Sequence, residues 1–181
     1  MSRIAIINQD NASAEQKRQL EAIDARFGTV PNYLRILANS PVALNAFLGL
    51  NVLASEGSLS LQTRERVALA LAQKNSCDYS LAAHTTAGRG AGLTGDEMAA
   101  NREGMSEDAR AAVAVRLALS LLENKGEINN AELVQARVAG YTDADIVEII
   151  GHVGMNLLAI ILAKASQVGL DSPSAAPRQG S

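Results

Sequence analysis

Three features of the sequence predict an all-α fold. Ala, Leu, Glu, Gln and Arg, all good helix formers, dominate the chain. Runs of β-branched residues alternating with polar ones are missing. Helix punctuation recurs instead: Ser, Thr or Asn stands three residues before Glu or Gln, and Gly follows where an apolar periodicity stops. The 181 residues suffice for one domain with a substantial core. We expect about eight helices in one multi-helical domain over residues 1–170, then a disordered tail, 171–181, because "DSPSAAPRQGS" is rich in Ser and Pro.

Each element can be justified in order. Ser13 and Gln16 have the spacing of a capping box and open a first helix toward Phe27, which Gly28 ends. "VPNYLRILANSP" supports a short helix from about Asn32, closed before Pro41. A third helix is expected from Pro41 to Ser55, stopped by Gly57. "SLQTRERVALALAQKNS" reads as a helix over roughly 60–75. "CDYSLAAHTTAGRGAG" follows after almost no loop, with Asn75 or Ser76 as the expected N-cap and Cys77 in the first turn. Thr94 and Glu97 form a further capping-box pattern and open a short helix to about Asn101. "SEDARAAVAVRLALSLLENKG" is a long amphipathic helix opened by Glu107 and Asp108, where the helix dipole favours acids. Asn129 with Glu132 caps the next helix, which ends at Gly140. Thr142 opens the last and most apolar one, to about Val168. "AGLTGDEM" at 91–98 is like "AGYTDADI" at 139–146, and shared punctuation explains this more simply than a duplication.

Composition narrows the function. Apolar residues are 48% and charged residues 19%, which suggests burial against partner subunits as well as within the chain. A net charge of -3 without a basic stripe argues against nucleic acid, and 3% aromatics with no Trp argues against base-stacking platforms. The longest apolar run, 146–163, is interrupted by Glu148, His152 and Asn156, so no membrane association is expected. "MSRIAIINQD" has no apolar region of the signal-peptide kind. One Cys forms no intrachain disulfide and fits a reducing cytoplasm, the expected location. One Cys and two His without ligand spacing give no metal site, and "AGRGAG" at a helix end without a preceding strand is no phosphate loop.

The chemistry concentrates in "NSCDYSLAAH", residues 75–84. On one helix, Cys77, Ser80 and His84 share a face, and Ser80 and His84, four apart, are neighbours. A base beside a nucleophile is what proton transfer needs. The positive end of the helix dipole favours a thiolate at Cys77. A cysteine in place of Ser80 would complete the Cys-x-x-Cys spacing of exchanging dithiols, but a serine hydroxyl neither ionises at neutral pH nor forms a disulfide. Glu65 sits in the otherwise apolar "RERVALALAQ" of the preceding helix. If the two helices pack antiparallel, its carboxylate can orient His84. Tyr79 either donates a hydrogen bond near the site or packs. His152, on an apolar helix surface, reads as a satisfied core or subunit-interface histidine. The simpler alternatives are a buried free thiol at Cys77, a solvated Glu65 beside two arginines, and a structural His84.

"RERVALALAQKNSCDYSLAAHTTAGRGAGLT" resembles the core of the carboxymuconolactone decarboxylase and alkylhydroperoxidase D (AhpD) superfamily. The family pattern is Glu, eleven residues, Cys, two residues, Cys, three residues, His, and Glu65, Cys77 and His84 match it in register. "FGTVPNYLRILANSPVALNAFLGL" is similar to the peroxidase-type branch, and the likeness covers about residues 20–170. Ser80, at the second cysteine, is the departure. The resemblance implies a thiol-dependent hydroperoxide reductase. In it the second cysteine, activated by Glu and His, attacks a hydroperoxide. The first cysteine resolves it as a disulfide, and a lipoyl-type dithiol protein or similar thiol reduces the pair. It also implies a homo-oligomer, a trimer or hexamer, with no metal, flavin or other cofactor. A hydroxyl at position 80 should abolish most of that cycle. Ser80 is either a natural divergence or an engineered Cys-to-Ser exchange, and surroundings still arranged for a thiol favour the second. A muconolactone decarboxylase and a non-catalytic oligomeric redox-binding module are the alternative functions.

Overall fold

The computed structural model describes residues 2–171, and among them there are ten α-helices and no strand. Two compact units share the chain. Among the described residues one comprises 2–49 together with 161–171, and the other runs from Leu50 to Ile160.

The first unit holds α1 (Ala14–Phe27), α2 (Asn32–Leu37) and α3 (Pro41–Leu50, to Gly49). Helix α1 starts at a complete capping box, with Ser13 and Gln16 bonding each other's backbone, and ends at Gly28, whose φ of 73° takes the left-handed turn. Leu20, Ile23, Leu34, Ile36, Leu44 and Phe47 are buried, and the ring of Tyr33 meets Phe47 edge-on at 5.5 Å. Asp171, the first residue of the expected tail, accepts the Asn32 N–H at 2.7 Å and so holds the start of α2. Residues 172–181, the rest of that tail, lie outside the described residues.

The second unit carries α4 (Val52–Glu56), α5 (Leu61–Lys74), α6 (Asp78–Gly90), α7 (Gly95–Arg102), α8 (Ala109–Glu123) and α9 (Asn130–Val138). Helix α10 (Asp143–Ser166) belongs to it as far as Ile160. Its centre is α5. Val67, Ala68, Leu69, Ala70, Leu71 and Ala72 are consecutive and all buried, so this helix is enclosed on every side, with α6, α7 and α8 against it. Leu69 joins Leu93 and Met98 in one cluster.

The helix count exceeds the expected eight partly because the predicted 41–55 helix is two, α3 and α4. The break falls at Asn51, two residues after Gly49, and both residue types are poor helix formers. The two similar segments share punctuation in detail. Gly92 and Gly140 have φ values of 86° and 88°, and the hydroxyls of Thr94 and Thr142 accept from the backbone of Glu97 and Asp145. Thr94 and Glu97 form only half of a capping box, because the Glu97 carboxylate turns inward. It accepts from Arg66 Nε at 2.5 Å, Asn101 Nδ2 at 3.0 Å, Ser106 Oγ at 2.5 Å and the Glu107 N–H at 2.8 Å. Helix α10, for its part, has the length and apolar composition of a membrane span. The core helix of a globular protein has the same composition, and the buried polar residues Asp145 and Asn156 of α10 are hydrogen-bonded within the chain.

Burial pushes the Glu97 carboxyl up, and its hydrogen bonds more than offset that, holding it at about 2 against an ordinary 4.5. The network's contribution is therefore complete above pH 4.5 and is lost as the pH falls toward 2. Glu97→Gln should cost about 2–3 kcal/mol at neutral pH, the scale of hydrogen bonds to a charged group. It should also flatten the acid limb of urea unfolding. Unchanged stability at both pH values would mean the network contributes nothing.

Candidate active site

The site is built on the α5–α6 hairpin. Helix α5 closes in a Schellman turn: Ser76 N–H bonds Gln73 O at 2.9 Å and Cys77 N–H bonds Ala72 O at 3.0 Å. Ser76 takes the left-handed position with φ 49°, a place usually given to Gly. This closure occupies Asn75 and Ser76, the expected N-caps, so α6 begins at Asp78. Cys77 is its N-cap rather than a first-turn residue, and its side chain makes no capping bond.

From there the side chains fall into two pairs. Cys77 Sγ lies 3.3 Å from Ser80 Oγ, and both residues are buried, at 3% and 5% exposure. Tyr79 is buried in the same turn. One helical turn beyond Ser80, His84 Nδ1 lies 2.8 Å from Glu65 Oε2, with side-chain exposures of 28% and 13%. The expected antiparallel packing does bring Glu65 to His84. No hydrogen bond joins the two pairs among the described residues. An ionised carboxylate only accepts, so His84 Nδ1 donates, which leaves the Nε2 lone pair as the basic position of the ring. Next to His84, Thr85 accepts from Arg102 Nη2 of α7 at 2.7 Å, a second tie on this part of α6.

Sequence reasoning missed the way the three charges of "RER" diverge. Arg64 donates to Ala54 O of α4, Glu65 accepts from His84 of α6, and Arg66 donates to Glu97 of α7. The only signal was a run of charges inside an apolar helix. His152 differs from its expectation as well. It is buried, at 2% exposure, but it is not satisfied, because its Nε2 has no hydrogen-bond partner. Burial lowers its pKa below the ordinary 6.5, helped by Arg64 and opposed by Glu148 and Glu65. Among the described residues no three His, Cys, Asp or Glu side chains group as metal ligands.

The site is thus an α-helical hairpin that carries a carboxylate–imidazole pair one turn from a buried Cys-x-x-Ser turn, and comparison with known proteins places the fold. Residues 41–124 match the carboxymuconolactone decarboxylase family. An uncharacterized peroxidase-related protein from Silicibacter sp. TM1040 is 26% identical over 96% of this chain and 94% of its own, with a TM-score of 0.80. A second peroxidase-related protein, the AhpD core from Ralstonia eutropha JMP134, is 22% identical over 98% of both chains, with a TM-score of 0.82. The fold also matches the debrominase Bmp8, in a cysteine-to-alanine form bound to 2,3,4-tribromopyrrole, at 12% identity over 94% and 92% of the chains and a TM-score of 0.73. No match is found among the curated proteins. Residues 41–124 are thus similar to the carboxymuconolactone decarboxylase family, and the fold is shared with the peroxidase-related proteins.

The lowered His152 pKa has a sign that can be checked. Below pH 6.5 the unfolded chain takes up a proton there before the folded chain does, so stability falls as pH falls through that window. His152→Gln should remove this component. Urea unfolding between about pH 7.5 and 5.5, read as the difference between parent and variant, should show a shallower pH slope in the variant. Parallel slopes would place no titration at His152.

Proposed function

We propose that the chain is built as a thiol-dependent hydroperoxide reductase of the AhpD type, and that Ser80 stops its cycle. The observation that carries this reading is the Glu65–His84 hydrogen bond at 2.8 Å one turn from a Cys77–Ser80 contact of 3.3 Å. With a cysteine at position 80, His84 Nε2 would take the thiol proton. The thiolate sulfur then bonds to one peroxide oxygen, the O–O bond breaks, and the other oxygen leaves as an alcohol or water after taking a proton. The Cys77 thiol attacks the resulting sulfenic acid, forming a disulfide and releasing water. A dithiol reductant, of lipoyl type, exchanges with that disulfide and is itself oxidised, which restores both thiols. Nothing in these steps calls for a metal or flavin. In the present chain Ser80 supplies no thiolate, and Cys77 is left as a buried thiol. A reducing cytoplasm suits such a cycle.

A second reading rests on the same pair. Glu65 and His84 are intact without the second thiol, so proton transfer on a lactone, as in muconolactone decarboxylation, would be independent of position 80. A non-catalytic redox-binding module would be silent in both assays.

Peroxide turnover should be near zero in the present chain and should emerge in Ser80→Cys. In that background Glu65→Gln and His84→Ala should each cost nearly as much as the two together, because groups acting as one unit are non-additive. A steady-state double-mutant cycle reads this. Full activity in either single variant, or additive losses, would leave the two thiols as a simple dithiol without a relay.

The same proposal includes self-assembly. Val147, Ile150 and Leu158 of α10 are large, apolar and exposed, and their spacing of three and eight keeps them on one helix face. Burial of this face in a trimer or hexamer is expected. Light scattering at micromolar concentration should give a multiple of 18.9 kDa. A clean monomer would rule assembly out.

A further inference from the structure

Helix α10 runs unbroken from Asp143 to Ser166. Val147, Ile150, Gly154, Leu158 and Ile161 follow one another at steps of three and four, so they line one face of it. All five are exposed, Val147 at 66% and Ile161 at 62%. Four large apolar side chains in one uncovered stripe mark an interaction surface, whereas the same side chains scattered singly would not.

Two glycines of this helix differ in what surrounds them. Gly151 has a reason within the chain, since an added Cβ would lie 2.6 Å from Leu53 Cδ1. Gly154 has none, since an added Cβ would find no atom within 4 Å. A glycine inside a helix costs about 1 kcal/mol relative to alanine. Alanine at this open position would relieve that cost. What explains Gly154 is a surface outside the chain that approaches the helix backbone closely.

The stripe is symmetric about Gly154. Ile150 stands four residues before it and Leu158 four after, and Val147 stands seven before and Ile161 seven after. Two such helices crossing antiparallel at Gly154 place Ile150 against Leu158 of the partner subunit, and Val147 against Ile161 of the partner subunit. A twofold interface requires one patch to complement itself in this way. The ends of the helix agree on the direction. Asp143 is exposed at its start and Lys164 at its end. Antiparallel pairing brings Asp143 within one position of Lys164 of the partner subunit, whereas parallel pairing sets like charges and like helix dipoles side by side. Asp143 also accepts from Arg137 Nε at 2.9 Å, so these rim charges select the direction and the apolar centre supplies the affinity.

We propose that the partner on this face is a second copy of the chain, with the two α10 helices antiparallel and a twofold axis at Gly154. The inference deepens the self-assembly proposed above and rests on it. It also narrows the subunit number. An assembly with a twofold axis through this contact has an even number of chains, so a dimer or hexamer fits and a trimer does not.

Cysteine pairing tests the geometry. In a Cys77→Ser background only introduced thiols remain. Positions 150 and 158 are about 12 Å apart along their own helix, too far for an internal disulfide, which needs Cα atoms within about 7 Å. Ile150→Cys combined with Leu158→Cys should therefore give disulfide-linked dimers on mild oxidation, and each single variant should stay unlinked. Links in both single variants would mean parallel pairing and would overturn the proposal. Gly154→Glu, with Cys77 in place, is the second measurement. Its own chain leaves that side chain room, so helicity by circular dichroism should be kept. On a twofold axis the new charge meets its own copy, and the particle mass by light scattering should fall to half. An unchanged mass would overturn the proposal, as would a parent mass that is an odd multiple of 18.9 kDa above one. A monomeric parent would sink the self-assembly reading itself. An assembled parent whose double-cysteine variant stays unlinked would sink this pairing alone.

Discussion

Enclosure of α5 is the constraint on which the second unit depends. Val67 to Ala72 are buried on every side, and the three charges just before them are only part-exposed, so each gains from a partner. Successive residues of a helix point about 100° apart. The three charges at 64–66 therefore leave in three directions, and each finds a different element: α4 at Ala54, α6 at His84, α7 at Glu97. What reads as a charge run in the sequence is a three-way clamp in the structure. The middle member of the clamp is the candidate catalytic carboxylate, so its placement is shared with the contacts that hold the helices together.

The hairpin turn supplies the second half of the geometry. A Schellman closure with no spare residue joins α5 to α6 and fixes how far along each helix a contact can form. Glu65 and His84 are nineteen residues apart and meet only because of that closure. The Cys77–Ser80 contact sits at the turn itself, where backbone hydrogen bonds leave little freedom. A site placed on rigid elements in this way holds its groups more closely than a loop would. A fold does not fix a reaction, however, and a debrominase with a TM-score of 0.73 shares this architecture. The chemistry has to be argued from the two pairs.

His152 shows how burial changes the reading of a residue outside the motif. From spacing alone it is a histidine on an apolar helix. In the structure it is buried, with an unpaired ring nitrogen. The exposed apolar face of α10, with Val147 and Ile150, lies outside any core formed by one chain. One helix thus carries both a buried polar corner and an uncovered apolar surface.

Much was legible in the sequence because it depends on near neighbours. Helix starts at Ser13, Asn129 and Thr142 are local hydrogen bonds between residues three apart, and the stops at Gly28 and Gly140 are local backbone conformations. The Glu65, Cys77 and His84 register was legible as a spacing shared with the family the sequence resembles, and their approach followed only on the condition that the two helices pack antiparallel. Contacts between distant segments could not be read. Glu97 was given to a capping box, but the tertiary structure turns its carboxylate inward, because Arg66 and Ser106 arrive there from other elements. The N-cap of α6 moved to Cys77 because closure of α5 used the residues before it. The tie between Glu148 of α10 and Ser58, ninety residues earlier in the chain, is a contact of the same kind. Local pattern determines which residues are helical and which face is apolar. Only packing decides which buried polar atom meets which, since that depends on distances no spacing in the sequence encodes.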